Sequence, residues 1–228
     1  MTELWHAFTK AIELLISLDP QVIEIAGRSL RVSGTSCLLA SLICLPLGSL
    51  IYFHHFRGKR ALINIVQTLF SVPTVLVGLL VFVLFSRAGP LGFFGIILTT
   101  KAMIIGQMIL ITPILLGFTI SALNGVSKEI VDTATSLGAS GFQTVWLVLR
   151  EARYAVLATV ILGFGRAISE VGCAMLVGGN MRGATRILTT AISMETSQGD
   201  FELAIALGII LLSLALIINI VLNRLQQR

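Results

Sequence analysis

Two charged side chains four residues apart, Arg166 and Glu170, interrupt a stretch that is otherwise free of charge from Tyr154 to Val177. On a helix, residues i and i+4 share a face, so this guanidinium and carboxylate can pair. A lone charge at mid-bilayer costs roughly 2.5–3.5 kcal/mol on insertion scales, which directs both groups towards protein or water. Two roles fit: an ion pair that locks a helix bundle, or a charged pair that lines a path through it.

Other reactive constellations are missing from the sequence. Asp19, Asp132 and Asp200 fall in connecting segments, His6, His54 and His55 fall near span ends, and no HExxH occurs. The groups of an intramembrane protease are therefore not in place. Cys37, Cys44 and Cys173 lie in apolar segments without a CxxC spacing. They read as small core residues, with neither a disulfide framework nor a metal site.

The elements that must hold the charged pair follow from composition. Apolar residues are 56% of the 228 and charged residues 12%, against about 45–50% and 25% in soluble domains. A soluble fold could not cover its surface with so little charge. Residues 32–53, 61–86, 102–127 and 203–223 contain no Asp, Glu, Lys or Arg, giving runs of 22, 26, 26 and 21 residues. A helix needs about 20 apolar residues to cross a bilayer core of about 30 Å. With the Arg166/Glu170 segment, the reading is an all-α, polytopic bundle of five spans, at about 27–55, 61–86, 101–124, 154–177 and 203–223.

Pro46, Pro73 and Pro113 sit one each in the first three spans, and each removes a backbone hydrogen bond. Gly163, Gly165, Ala167, Ser169 and Gly172 crowd the fourth, where small residues let backbones approach closely. The net charge of +5 is scattered over short loops with no stripe for nucleic acid to follow. Its natural partner is anionic membrane lipid.

The N-terminal residues lack the basic start of a secretory leader. Instead Trp5, Phe8, Ile12 and Leu15 recur at helical steps, and Asp19-Pro20 stops the pattern. Residues 1–20 are expected to form an amphipathic helix in the membrane interface. Residues 21–228 form one transmembrane domain.

Between the third and fourth spans, residues 127–153 read SKEIVDTATSLGASGFQTVWLVLREAR. Ile130, Ala134 and Leu137 share a helical face, Gly138 interrupts, and Ser140-x-x-Gln143 has the form of a capping box that starts a second helix. Small side chains on an exposed turn suit docking into a groove on a partner.

This loop resembles the cytoplasmic "EAA" loop of ABC importer permeases. Asp132-Thr133-Ala134 is followed at the family spacing by Leu137-Gly138-Ala139-Ser140, then by Val145 and Val148. Asp132 stands for the family's Glu and Thr133 for its first Ala, while Arg150-Glu151 occupies the usual Leu-Pro position. The segment GFGRAISEVGCAMLVGGN, residues 163–180, resembles the corresponding span of molybdate, sulfate and tungstate permeases. REAR, GFGRA, VGGN and TTAISMET together are most similar to the tungstate type.

The resemblance implies a MetI-like permease fold in a bacterial or archaeal cytoplasmic membrane, with the loop inside and the N-terminus outside. It implies a homodimer of this chain, two ATP-binding cassette subunits docked at Asp132, Ala134, Gly138, Ala139 and Ser140, and an extracytoplasmic oxyanion-binding protein. The path or gate would fall at Arg166, Glu170, Gly178, Gly179 and Asn180. The sequence contains no GxxxxGK[ST] phosphate loop, so ATP and Mg belong to the partner subunit and this chain is expected to bind no cofactor and no metal. A secondary transporter would also use intramembrane charge, but it leaves the EAA-like spacing without a purpose.

Overall fold

The computed structural model describes residues 2–17 and 19–226, and every regular element among them is a helix. Helix α1 runs Thr2–Ile16. Trp5, Phe8, Ile12 and Ile16 are exposed on it, while Lys10 faces Glu202 at 4.0 Å. The Leu15 side chain and Leu18 lie outside the described residues.

Helix α2, Pro20–Phe53, begins seven residues before the expected start at 27. The cause is Asp19, whose Oδ1 accepts the Gln21 and Val22 N–H groups at 2.9 and 3.0 Å. Pro20 follows at the first helical position, where its missing N–H costs nothing. At 1.5 Å per residue, 34 residues make about 51 Å of helix, longer than the hydrocarbon core.

The second expected span is broken. Helix α3, Lys59–Thr68, passes through a 3-10 turn into α4, Thr74–Phe85, with a bend of 98° at Pro73. Pro46 and Pro113 stay inside α2 and α5 (Thr100–Asn124). The segment between the third and fourth expected spans forms α6, Lys128–Ser136, and α7, Gly141–Glu151. The fourth span is broken as well, into α8, Arg153–Ile168, and α9, Gly172–Gly178, which meet at 59°. Helix α10, Leu188–Gln198, arises where the sequence suggested only a connection, and α11, Phe201–Gln226, completes the described chain. Among the described residues, α2, α5 and α11 are long and apolar enough to cross a membrane, and each bent pair taken as one span brings the number to five.

The core forms around α2 and α5. Val32, Met103, Leu110, Cys173 and Val177 make one buried cluster, and Cys37, Cys44, Ile111, Leu115 and Ala167 another. All three cysteines are buried and free. Short α9 is clasped between α4 and α5. A Cβ at Gly78 would lie 2.8 Å from the Cys173 Cα, so the α4–α9 crossing needs a residue with no side chain. Leu38, Leu42, Leu79, Leu80, Leu212 and Leu216 point outward, as apolar residues do where the solvent is lipid.

Candidate functional site

The charged pair forms, but not along a helix face. Helix α8 ends at Ile168, so Glu170 stands past its last turn. Arg166 Nη1 donates to Glu170 Oε2 at 2.8 Å across the break, and Glu170 Oε1 accepts the Cys173 N–H at 2.9 Å. The carboxylate thus serves a guanidinium and an N-terminal N–H group of α9 together. The Thr189 hydroxyl of α10 donates to the Glu170 carbonyl at 2.7 Å. Glu170 is 2% exposed, whereas the Arg166 side chain is 34% exposed. Arg166 reaches a cavity of about 360 Å³ whose other walls, including Val66, Phe70, Val77, Leu110 and Pro113, are apolar apart from Thr112. Its guanidinium is the one charge on that lining.

Gly178, Gly179 and Asn180 lie at the other end of α9, about 10 Å along its axis from Gly172. The expected path residues are therefore two groups joined by one short helix. Gly178 packs on Met103, where a Cβ would meet the sulfur at 2.7 Å. Its carbonyl accepts from the Thr185 hydroxyl at 2.5 Å. Gly179 and Asn180 have φ of +69° and +47°, successive left-handed residues that reverse the chain.

Beyond this turn lies a buried pair that sequence reasoning missed. Arg186 Nη1 is 3.4 Å from Glu195 Oε1, with side-chain exposures of 3% and 8%. Arg28 of α2 donates to the Arg186 carbonyl at 2.9 Å and also pairs with Glu24. Burial first, then the charge of Arg182, lowers the Arg186 pKa from its ordinary value, and Glu195 opposes that fall. The nine-residue separation crosses a loop and a helix, so no periodicity joins the two residues. The available signal was Glu195 itself, the one acidic residue between Glu170 and Asp200, following two arginines.

The loop between α5 and α8 has the expected form. The Ser127 hydroxyl accepts the Glu129 N–H and starts α6, and Gly138 at φ +82° ends it. Both capping-box bonds of Ser140 and Gln143 are present, at 2.7 and 3.4 Å. Leu137, Phe142 and Trp146 are 84%, 80% and 64% exposed. Asp132 and Ser140 are exposed too, while Ala134 and Ala139 are half-buried, joined by the Ala139 N–H to Ala134 carbonyl bond at 3.0 Å. Ala134 lines a groove with Glu129, Ile130, Thr133, Leu137 and Leu147. Helix α7 stops at Glu151 without the Leu-Pro step, because Val148 and Ala152 are buried against Leu123 and hold the turn into α8.

Among the described residues no three His, Cys, Asp or Glu side chains gather in a way that could hold a metal ion.

A family model described as "Binding-protein-dependent transport system inner membrane component" matches residues 44–228. The chain belongs to that family. The tungstate uptake system permease protein TupB of Peptoclostridium acidaminophilum is 43% identical to it over 97% of each chain. TupB of Campylobacter jejuni is 39% identical, over 98% of this chain and 94% of its own. In fold the chain is similar to a chain of an inward-facing MetNI methionine ABC transporter, with a TM-score of 0.75 and 18% identity over 92% and 97% of the two chains. The protein is a multi-pass membrane component of an ABC transport system, with a MetI-like fold.

Proposed function

We propose that this permease carries tungstate inward across the cytoplasmic membrane, with molybdate and sulfate as the next candidates. The observation that carries the reading is the identity of 43% and 39% to two tungstate uptake permeases along nearly the whole chain. Two copies of the chain pack together in the bilayer and frame the path. An ATP-binding cassette subunit docks on each α6–α7 loop and brings ATP and Mg, and an extracytoplasmic binding protein delivers the anion. Exposed Leu137, Phe142 and Trp146 around Gly138 give that docking surface its apolar anchors. Asp132, Ala134, Ala139 and Ser140 shape it.

Arg166, half in the apolar cavity and half held by Glu170, offers a tempered positive charge to a dianion. Gly178, Gly179 and Asn180 form the gate at the outer end of α9. The binding protein does most of the choosing, because tungstate and molybdate have nearly the same size and charge.

The test reconstitutes the permease with its ATP-binding subunits and binding protein in liposomes. Tungstate is expected to accumulate inside when ATP is supplied and to protect the binding protein against heating. Accumulation without ATP, or of a cation or neutral solute instead, overturns the proposal.

A further inference from the structure

The buried cluster around Arg186 is poorly satisfied for a purely structural ion pair. A charge-assisted hydrogen bond is normally about 2.7–2.9 Å long, and a buried arginine is expected to grip a carboxylate with both arms of its fork. Arg186 has a single contact of 3.4 Å to Glu195. A second arm rests on the Met194 thioether at 3.3 Å, a weak acceptor. Its Nε has no hydrogen-bond partner among the described residues. Asn180 repeats the pattern: its amide nitrogen spends itself on the same sulfur at 3.0 Å, and its Oδ1 is unpartnered. By contrast Arg166 meets Glu170 at 2.8 Å. The Arg186 guanidinium is therefore underused, with donors free to serve an incoming oxygen-rich ligand.

Its surroundings favour an anion. Arg28 and Arg182 lie close by, and Glu24 is already engaged by Arg28. The adjoining residues 181–184 are exposed, so a short turn, not a helix, separates the cluster from the surface. With the α6–α7 loop inside and one bent span between, this cluster lies towards the extracytoplasmic side.

We propose that Arg186 receives the oxyanion on that side, with Glu195 as its resident counter-charge. The inference rests on the transport reading above. The arriving anion displaces the Glu195 carboxylate and takes the Nε and Nη donors in the planar geometry that guanidinium groups offer to tetrahedral oxyanions. The Asn180 amide turns from sulfur to an anion oxygen. When the anion moves on, Glu195 closes back on Arg186, which keeps the arginine from becoming a trap.

The experiment uses the complex of permease and ATP-binding subunits without the binding protein. Retention of tungstate is measured by equilibrium dialysis with elemental detection of tungsten, for wild type, Glu195→Gln, and Arg186→Gln with Glu195→Gln. The double variant removes both charges with near-isosteric groups, so no uncompensated charge is left buried. Glu195→Gln is expected to hold tungstate about tenfold more tightly than wild type, and the double variant to hold it about tenfold less tightly. Equal retention by Glu195→Gln and wild type overturns the inference, and that single comparison decides it should the double variant fail to assemble. Uptake by the wild-type complex with its binding protein is followed in parallel. A wild type that imports tungstate while all three dialyse alike refutes only the role of Arg186. A wild type that imports no oxyanion refutes the transport reading and this inference together.

Discussion

Arg166 meets Glu170 at 2.8 Å across a break between two helices, with the carboxylate buried and the guanidinium half in a cavity. The second carboxylate oxygen accepts the Cys173 N–H, so Glu170 holds α9 as well as Arg166. Exchanging the two charges would restore attraction but not the cap, because arginine has no acceptor. Arg166→Glu with Glu170→Arg is therefore expected to remain less stable than wild type, whether or not Arg166 touches the anion.

The informative substitutions are milder. Glu170→Gln keeps an acceptor for Cys173 and loses only the charge, while Glu170→Ala loses both. Alanine should cost about 1–3 kcal/mol, since it leaves a buried donor and a cation without a partner. Thermal unfolding of the detergent-solubilised complex should rank wild type above Glu170→Gln above Glu170→Ala. Equal midpoints for the two variants would mean that the cap contributes nothing.

Gly138 offers a cleaner case, because a Cβ there would touch nothing within 4 Å. Any cost of substitution is conformational and comes from φ of +82°. Gly138→Val should strain the turn by roughly 1–2 kcal/mol, re-aim α6 against α7, and weaken association with the ATP-binding subunit. Membrane insertion should be unchanged. Gly138→Asn, which tolerates the left-handed region better, should bind nearly as wild type. Co-purification yields of the three proteins measure this, and an undiminished yield for valine would make the loop a simple tether.

Much of this architecture is legible in the sequence, because a bilayer leaves few choices. Charge-free runs mark α2, α5 and α11, and Ser140-x-x-Gln143 marks the start of α7. The breaks are less legible. Pro46, Pro73 and Pro113 look alike as residues, yet only Pro73 bends its span sharply, where α4 turns to pack on α9. That packing is tertiary and has no local signature. Glu170 was readable as the partner of Arg166 but not as a helix cap, since nothing local announces that α8 ends at Ile168. Arg186 and Glu195 are hard to join from the sequence, because α10 is too short and polar to stand out as a span.

The crossing of α4 and α9 tests how tightly those broken spans are held. Gly78→Ala places a methyl group 2.8 Å from the Cys173 Cα, a backbone atom that cannot rotate away. Overpacking of this kind costs about 1–3 kcal/mol. Gly165→Ala, in α8 with nothing within 4 Å, is the matched control. The thermal midpoint should fall for Gly78→Ala and hold for Gly165→Ala. If both hold, α9 moves freely against α4.

The bent pair α8–α9 is the element on which topology turns. Between Lys128 and Gln198 it is the only helical stretch with the length to cross: α8 supplies about 24 Å and α9 about 10 Å, whereas α10 measures about 16 Å. A single cysteine at each end therefore asks whether the pair spans the membrane or re-enters on one side. Lys128 and Gln198 are both exposed, and Lys128 is a better choice than Ser127, whose hydroxyl caps α6. In intact cells Lys128→Cys should be shielded from a membrane-impermeant maleimide and Gln198→Cys should be labelled. After permeabilisation both should react. Labelling of both in intact cells would make α8–α9 a re-entrant loop, and the reversed pattern would put the α6–α7 loop outside, away from any ATP-binding subunit.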